Sequence, residues 1–158
     1  MRRTADVLVV GGGPAGSAVA IVLARAGLRV SLFEKSHFPR EKPCGEYLSP
    51  GCLSILDRLG LLSALEALGP QPIRGMRIEA PGGTVLTGVY PGNGTLPHGY
   101  SLPRYRCDAL LFDAAGKAGV ERTRQVVRLR PGPRTGDGPL EAVHERAGLV
   151  LVLVPPWR

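Results

Sequence analysis

The sequence predicts an α/β fold with a parallel sheet, and two apolar runs separated by a helical pattern carry this prediction. Residues 7–10 and 28–33 are short, apolar and contain β-branched side chains, as buried parallel strands do. Between them, small and apolar side chains recur at helical spacing over residues 14–26, and Gly27 follows as a helix stop. The order strand, helix, strand predicts a β-α-β unit with a right-handed crossover.

Three glycines stand where the first strand passes into the helix. Gly11, Gly13 and Gly16 form a G-x-G-x-x-G pattern. In such a turn the first glycine permits the tight bend, the second lets a pyrophosphate approach the backbone, and the third lets the helix pack closely on the strand. The helix N-terminus carries free N–H groups and about half a unit of positive charge, so it binds anions without a basic side chain. The pattern is weak by itself, but here the flanking strands and helix accompany it.

The second strand of the unit ends at an acid, Glu34. A carboxylate in this position accepts a hydrogen bond from a ribose 2′-hydroxyl and repels a 2′-phosphate. Together with the glycine turn it predicts a dinucleotide site. Adenine, ribose and pyrophosphate are common to FAD and NAD, so these residues leave the choice of dinucleotide open.

The remainder of the chain predicts further elements outside this unit. Ser49 is placed to cap a helix that begins at Pro50 and that Gly60 closes. The turn-forming residues 80–84 lie between two short strand patterns, which predicts a β-hairpin over 73–90 outside the parallel sheet. The pattern then predicts a loop over 91–103, a helix over 104–117 and one or two strands over 120–129.

Three polar or reactive residues have two interpretations each. Cys44 is either a small buried apolar residue, the commonest role of a free cysteine, or part of a ligand site. Arg40 is either a solvated charge beside Glu41 or a cation that meets a pyrophosphate, and we favour it over Lys42 for the second role. Arg104 stands near a helix N-terminus, where a cation gains nothing from the helix dipole. Its alternatives are an exposed arginine and a contact with an anionic ligand.

Two segments carry a resemblance to known flavoproteins. They are "FPREKPCGE" at residues 38–46 and "LPRYRCDALLFDAA" at residues 102–115, taken together with the glycine turn and Glu34. Over residues 6–127 the chain resembles the N-terminal part of the flavoprotein family that includes geranylgeranyl reductases and, beyond them, flavin monooxygenases and flavin-dependent halogenases. The "KPCG" element is most similar to the geranylgeranyl reductase branch.

The resemblance implies a Rossmann-like FAD-binding domain, with FAD as cofactor and NAD(P)H as the reductant of an intact enzyme. It implies an oxidoreductase that transfers hydride to a double bond of a small-molecule or isoprenoid-like substrate, with a flavin monooxygenase or halogenase as the alternative. It assigns no catalytic residue. The residues that it implies at the FAD are Gly11, Gly13, Pro14, Ala15, Gly16, Glu34, Lys35, Arg40, Cys44, Gly45, Tyr47, Arg104 and Val126.

The resemblance fades near residue 130. Residues 1–130 are expected to be the N-terminal portion of an FAD/NAD(P)-binding domain, and residues 131–158, which begin with a run rich in glycine and proline, an irregular tail. A glycine-aspartate segment and a large antiparallel sheet, which complete the flavin site in the family, do not follow. We therefore expect a truncated domain that is too short to be active alone, with a non-catalytic nucleotide-binding remnant as the alternative.

Composition narrows the classes of partner. The chain has 158 residues, enough for one domain with a real core, and its net charge of +7 comes from 20 basic and 13 acidic residues. Only 5% of the residues are aromatic and no nucleic-acid-binding motif is present, so the arginines are expected on a solvated face and no nucleic-acid partner is predicted.

The cysteines and histidines predict a reducing compartment and no metal. Three cysteines, an odd number without a secretory signal, fit the cytoplasm. The three histidines show no metal-ligand spacing with them. The apolar run at 149–154 is far shorter than the roughly 20 residues of a membrane-spanning helix, so no transmembrane segment is predicted. A lipid substrate would bring an intact enzyme into peripheral contact with a membrane.

Overall fold

The structure, a computed structural model, describes residues 5–90 and 98–124, and the backbone of residues 149–152. The chain divides into two compact units, Met1–Arg40 with Leu111–Arg158, and Glu41–Leu110. In chain order the described elements are β1 (Val7–Val10), α1 (Pro14–Arg25), β2 (Val30–Glu34), β3 (Tyr47–Leu48), α2 (Pro50–Arg58), α3 (Leu62–Glu66), β4 (Gln71–Ile73), β5 (Gly75–Glu79), β6 (Val85–Val89), β7 (Gly99–Ser101), α4 (Arg104–Lys117), β8 (Glu121–Arg124) and β9 (Leu149–Val152).

Among the described residues, the first unit is built on a parallel sheet with strand order β8-β2-β1-β9. Val7 of β1 lies opposite Val30 of β2 on one side and Leu149 of β9 on the other. On the far side of β2, Ser31 lies opposite Glu121 of β8. The predicted β-α-β unit is therefore confirmed, and its strands end together at one edge of the sheet.

The turn from α1 into β2 takes up more residues than the apolar pattern predicts. α1 ends at Arg25 and β2 begins at Val30, so Leu28 and Arg29 belong to the connection between them and not to the strand. The Leu28 N–H donates to the carbonyl of Leu23 at 3.2 Å. The Arg29 N–H and Nε donate to the Asp6 carboxylate at 2.8 and 3.0 Å. Leu28 is exposed, so its apolar character does not mark a strand.

The core of the first unit lies between α1 and the sheet. Val9 and Leu32 on neighbouring strands and Ala20 and Ile21 on the helix are fully buried. Burying a valine, leucine or isoleucine side chain stabilises a fold by about 1.5–3 kcal/mol. This packing fixes the start of α1 beyond the end of β1, where the glycine turn lies.

The second unit combines short helices with antiparallel strands. Ser49 caps α2, because its Oγ accepts a hydrogen bond from the Cys52 N–H at 3.3 Å, as the sequence predicts. Apolar side chains on one side of α2 and α3 form the core of this unit, among them Leu53, Leu56 and Leu65. The predicted hairpin is confirmed as β5 and β6, which pair antiparallel from Gly75 opposite Val89 to Glu79 opposite Val85.

Part of the predicted loop over 91–103 is a strand. Gly99–Ser101 forms β7, which pairs antiparallel with both β3 and β4. A Cβ on Gly99 would lie 2.5 Å from the carbonyl oxygen of Leu48, so only glycine allows the two strands to approach this closely. The sequence pattern places Gly99 in a loop, whereas in the structure it allows β7 to pack closely against β3.

Within residues 131–158, which the sequence predicts as an irregular tail, Leu149–Val152 forms β9 in parallel register with β1. Its run of leucine and valine has the β-branched, uncharged composition of a parallel strand. The predicted strand over 120–129 appears as β8, and Val126 lies outside the described residues. Along the described parts of the chain, no helix has the length and hydropathy to cross a bilayer.

Candidate functional site

The glycine turn between β1 and α1 is closed by backbone contacts that exclude side chains. Gly11 has a φ of +106°, which glycine adopts without strain, and its N–H donates to the Phe33 carbonyl at 2.8 Å. A Cβ on Gly16 would lie 1.9 Å from the carbonyl oxygen of Gly11. The first and third glycines of the pattern are therefore required by geometry, and they hold the helix start tightly against the strand end.

The N-terminus of α1 offers backbone N–H groups to a ligand. Gly13 is the N-cap residue and has no side chain to accept from them, and Pro14 occupies the first helical position. The first turn contains no acidic residue, and Ala15 within it is exposed. This end of the helix can bind an anion through backbone donors and the helix dipole.

Glu34 lies buried beside this turn, at the end of β2. Its Oε2 accepts from the Gly12 N–H at 2.8 Å, and its Oε1 accepts from the Ser36 N–H at 2.9 Å. Burial by itself raises the pKa of the Glu34 carboxyl, but the hydrogen bonds from Ser36 and Gly12 and the nearby charge of Arg40 outweigh burial and lower it. Glu34 is therefore ionised at neutral pH and can accept a hydrogen bond from a ligand hydroxyl.

Arg40 lies next to that carboxylate. One guanidinium nitrogen is 3.7 Å from Oε2 of Glu34, and the guanidinium carbon lies 5.1 Å from the centre of the Phe38 ring. Lys35, the residue after β2, is exposed. Within the first unit the structure thus brings together the glycine turn, Glu34 and Arg40.

In the second unit, the predicted site residues Cys44 and Arg104 belong to one cluster. The Cys44 thiol is exposed, and hydrogen bonds from the Glu46 N–H and the Arg104 guanidinium lower its pKa. Cys44 is therefore not the buried apolar residue that one of its two interpretations describes. Gly45 is exposed beside it.

Arg104, at the start of α4, has a protein partner for its charge. Its Nε donates to Oδ1 of Asp108, one turn further along the helix, and the Asp108 side chain is fully buried. The backbone N–H of Arg104 lies 3.4 Å from Oε1 of Glu46. Asp108 therefore supplies a negatively charged partner, whereas the sequence left open an exposed arginine or a contact with an anionic ligand.

Tyr47 forms a separate contact in the second unit. Its hydroxyl is hydrogen-bonded to the hydroxyl of Tyr90, and the two rings are stacked with their centres 6.5 Å apart. Burial, followed by the interaction with Tyr90, raises the pKa of Tyr47 to about 12. Tyr47 is therefore neutral over the physiological range and can act as a hydrogen-bond donor or acceptor.

Sequence reasoning missed Asp108, Phe38 and Phe112 as parts of this arrangement. Asp108 had a local indication, because an arginine and an aspartate four residues apart on a helix form ion pairs. Phe38 and Phe112 stack with their ring centres 4.4 Å apart, although they are far apart in the sequence. No local pattern indicates such a pair. Across the described residues, no group of histidine, cysteine, aspartate and glutamate could hold a metal ion.

Comparison with known proteins identifies the family. A family model described as an FAD binding domain matches residues 4–145. Menaquinone reductase of Mycolicibacterium smegmatis is 37% identical over 123 residues, which are 77% of this chain and 29% of that protein.

Solved structures similar to the chain include those of two flavin proteins. A flavoprotein/dehydrogenase from Cytophaga hutchinsonii has 32% sequence identity and a TM-score of 0.68 over 77% of this chain and 30% of its own. CmlS, a flavin-dependent halogenase, has 31% identity and a TM-score of 0.68 over 78% of this chain and 23% of its own. The chain thus spans less than a third of the length of these proteins. It belongs to the FAD-binding domain family, with a Rossmann-like α/β fold and FAD as its cofactor.

Proposed function

We propose that the first unit holds the adenosine and pyrophosphate half of FAD for an oxidoreductase of the geranylgeranyl reductase type. The observation that carries this proposal is the uncapped start of α1 beside the buried, ionised carboxylate of Glu34. In this assignment the backbone N–H groups of Gly13, Ala15 and Gly16 receive the pyrophosphate. Glu34 accepts a hydrogen bond from the ribose 2′-hydroxyl, and its charge disfavours a 2′-phosphate.

The remaining predicted site residues are also proposed to contact FAD. Arg40 and Lys35 carry positive charge near Glu34 and are proposed to attract the phosphates. For Cys44, Gly45, Tyr47 and Arg104, which all lie in the second unit, a contact with FAD is proposed on the resemblance alone. The Cys44 thiol and the neutral Tyr47 hydroxyl are hydrogen-bonding groups among them. Val126, which lies outside the described residues, is proposed as an FAD contact on the resemblance alone. When bound, FAD supplies hydride transfer from a reduced nicotinamide to a substrate double bond.

The reductase type and its substrate rest on resemblance. The "KPCG" element is similar to geranylgeranyl reductases, and a relative named menaquinone reductase is 37% identical over the matched region. The resemblance to geranylgeranyl reductases supports the reduction of a double bond in an isoprenoid-like substrate, and the relative's name supports a reductase. The cytoplasm, with peripheral contact at a membrane through that substrate, belongs to the same proposal.

A flavin monooxygenase or halogenase is the second candidate. The halogenase CmlS has the same TM-score as the flavoprotein/dehydrogenase, 0.68, and nearly the same identity, 31% against 32%. The nucleotide half of an FAD site serves either chemistry, because the reacting atoms of FAD lie outside it. The two candidates differ in whether the reaction consumes oxygen.

The test uses the protein purified from its native source, in the form in which the cell makes it. It is incubated with NAD(P)H and a prenylated substrate with and without oxygen. A reductase oxidises the nicotinamide in the absence of oxygen, and the product gains one hydride and one proton across its double bond. Turnover that requires oxygen and adds oxygen or halogen to the substrate would favour the second candidate and contradict the reductase.

A further inference from the structure

The side chain of Phe112 on α4 lies against the glycine turn of the first unit. A Cβ on Gly12 would be 2.9 Å from two ring carbons of Phe112 and 3.1 Å from Cβ of Glu34. Gly12 is the middle glycine of the turn and is not part of the G-x-G-x-x-G pattern. Because Gly12 has no side chain, the Phe112 ring and the Glu34 side chain can both lie close to its backbone.

The Phe112 ring belongs to a stack that ends at Glu34. Phe112 stacks on Phe38 with an interplanar angle of 20°, and the Arg40 guanidinium lies over Phe38 at 5.1 Å. Arg40 in turn lies 3.7 Å from the Glu34 carboxylate. The Phe112 ring therefore lies directly against Gly12. It is linked to the Glu34 carboxylate through Phe38 and Arg40.

Arg122 of β8 holds the Phe112 ring from a further side. Its guanidinium lies 4.9 Å from the ring centre, and its NH1 donates to the Phe112 carbonyl at 3.1 Å and to Asp113 at 2.9 Å. A Cβ on Gly116 would lie 2.5 Å from the guanidinium carbon, so glycine at that position leaves space for it. Because both its backbone and its ring are held, Phe112 presents a fixed surface to the turn.

We propose that Phe112 is a positioning residue for the ribose-binding carboxylate. By filling the space beside Gly12 and supporting Phe38, the ring keeps the Gly12 N–H and the Glu34 carboxylate in the geometry that accepts a ribose 2′-hydroxyl. The ligand side of this inference rests on the proposed function, whereas the Gly12–Glu34 hydrogen bond is a contact within the protein. The two are therefore tested separately.

The first test measures amide hydrogen exchange in the full 158-residue chain without nucleotide. In Phe112→Ala, exchange of the Gly12 N–H, which donates to Glu34, is expected to rise about tenfold, because a misplaced carboxylate no longer protects this N–H by a hydrogen bond. The Gly11 N–H, which donates to the Phe33 carbonyl at 2.8 Å, is the internal reference and should change little.

Leu111→Ala is the matched control, since it shortens the neighbouring and more deeply buried side chain of the same helix. Its expected effect is a larger loss of thermal stability with unchanged relative exchange at Gly12. Equal protection of Gly12 in wild type and Phe112→Ala would overturn the inference. Equal acceleration in both alanine variants would overturn it too, because the effect would then be general destabilisation.

The second test compares the affinities of ADP and 2′-deoxy-ADP by titration. Wild type and Leu111→Ala should prefer ADP by the same ratio, whereas in Phe112→Ala the ratio should fall toward one. If wild type binds neither compound, the proposed function fails while the exchange result still decides the role of Phe112. If wild type prefers ADP and Phe112→Ala keeps the full preference, the positioning role is contradicted.

Discussion

The carboxylate of Glu34 has properties that depend on three neighbours rather than on its own chemistry. Two backbone N–H groups and Arg40 keep it ionised although it is buried. A charged acceptor in this place favours a ribose with a free 2′-hydroxyl. In the proposed function, the selectivity between nucleotides with and without a 2′-phosphate therefore resides in Glu34.

Replacing that residue tests the selectivity directly. Wild type should bind ADP more tightly than its 2′-phosphorylated analogue, and Glu34→Gln should narrow the difference by about tenfold, or about 1.4 kcal/mol, because the repulsive charge is removed. Competitive titration of both nucleotides measures the ratio. Glu41→Gln, which removes an exposed carboxylate, is the control and should keep the wild-type ratio. A variant at residue 34 that discriminates as well as wild type would count against this role.

Gly16 provides a prediction about stability. Gly16→Ala places a methyl group 1.9 Å from the Gly11 carbonyl oxygen, so the backbone must move, at a cost of about 3 kcal/mol in the free energy of unfolding. Gly51→Ala in α2 is the control, since its Cβ would meet only the Ser49 hydroxyl at an ordinary 3.7 Å. Chemical denaturation compares the two. Equal stability of both variants would show that the turn is looser than this contact implies.

Asp6 predicts a pH dependence of stability. Hydrogen bonds from the Arg29 side chain and backbone lower the pKa of Asp6 from 3.8 to about 2. A lowered pKa in the folded state contributes stability that is fully present above about pH 4 and is lost as the pH falls toward about 2. Asp6→Asn should therefore lose less unfolding free energy than wild type over this interval. An equal loss in Asp6→Asn and wild type would contradict this role of the Asp6–Arg29 contact.

At the scale of elements, two serines of α2, one at its N-cap and one inside the helix, allow the contribution of the cap to be measured. Ser49→Ala removes the acceptor for the Cys52 N–H and should lower the free energy of unfolding by about 1 kcal/mol. Ser54→Ala, inside the same helix, removes a hydroxyl that donates to the Pro50 carbonyl and should have little effect, because alanine is a better helix former. Thermal melting of the two variants should differ accordingly. A smaller loss at residue 49 than at residue 54 would contradict the capping role.

The elements with local determinants are the ones that the sequence predicts. β1, α1 and β2 follow from apolar periodicity and a glycine stop, and α2 follows from Ser49 and Gly60. β7 could not be predicted, because Gly99 is typical of a loop in its local sequence and becomes a strand residue only against Leu48. A contact between segments distant in the sequence decides its structure.

The same division holds for the candidate site. The turn glycines and Glu34 lie within one β-α-β unit, so their spacing in the sequence predicts that they form one site. Asp108 is indicated by its spacing of four residues from Arg104 on a predicted helix. Phe112, by contrast, has a role only through its packing against the glycine turn, which is distant in the sequence. Spacing along the chain does not encode such tertiary contacts.

At the scale of the whole molecule, the described residues form a first unit built on a parallel sheet and a second unit that mixes helices with antiparallel strands. The chain spans 29% of the menaquinone reductase that it resembles and 23% of the halogenase CmlS. In the proposed function, the first unit supplies an anion site and a carboxylate to the ADP part of FAD. We therefore expect ADP to bind to this chain alone, and FMN, which lacks the adenosine, not to bind at the same place.

An NMR titration of the 158-residue chain with ADP, FAD and FMN tests the central claim most directly. With ADP and with FAD, the backbone amide signals of the turn from Gly11 to Ser17 and of Glu34 should shift together and saturate. FMN at the same concentrations should leave those signals in place. Absence of any shift with ADP and FAD, or an equal shift of the same amides with FMN, would contradict the assignment of this unit to the adenosine and pyrophosphate of FAD.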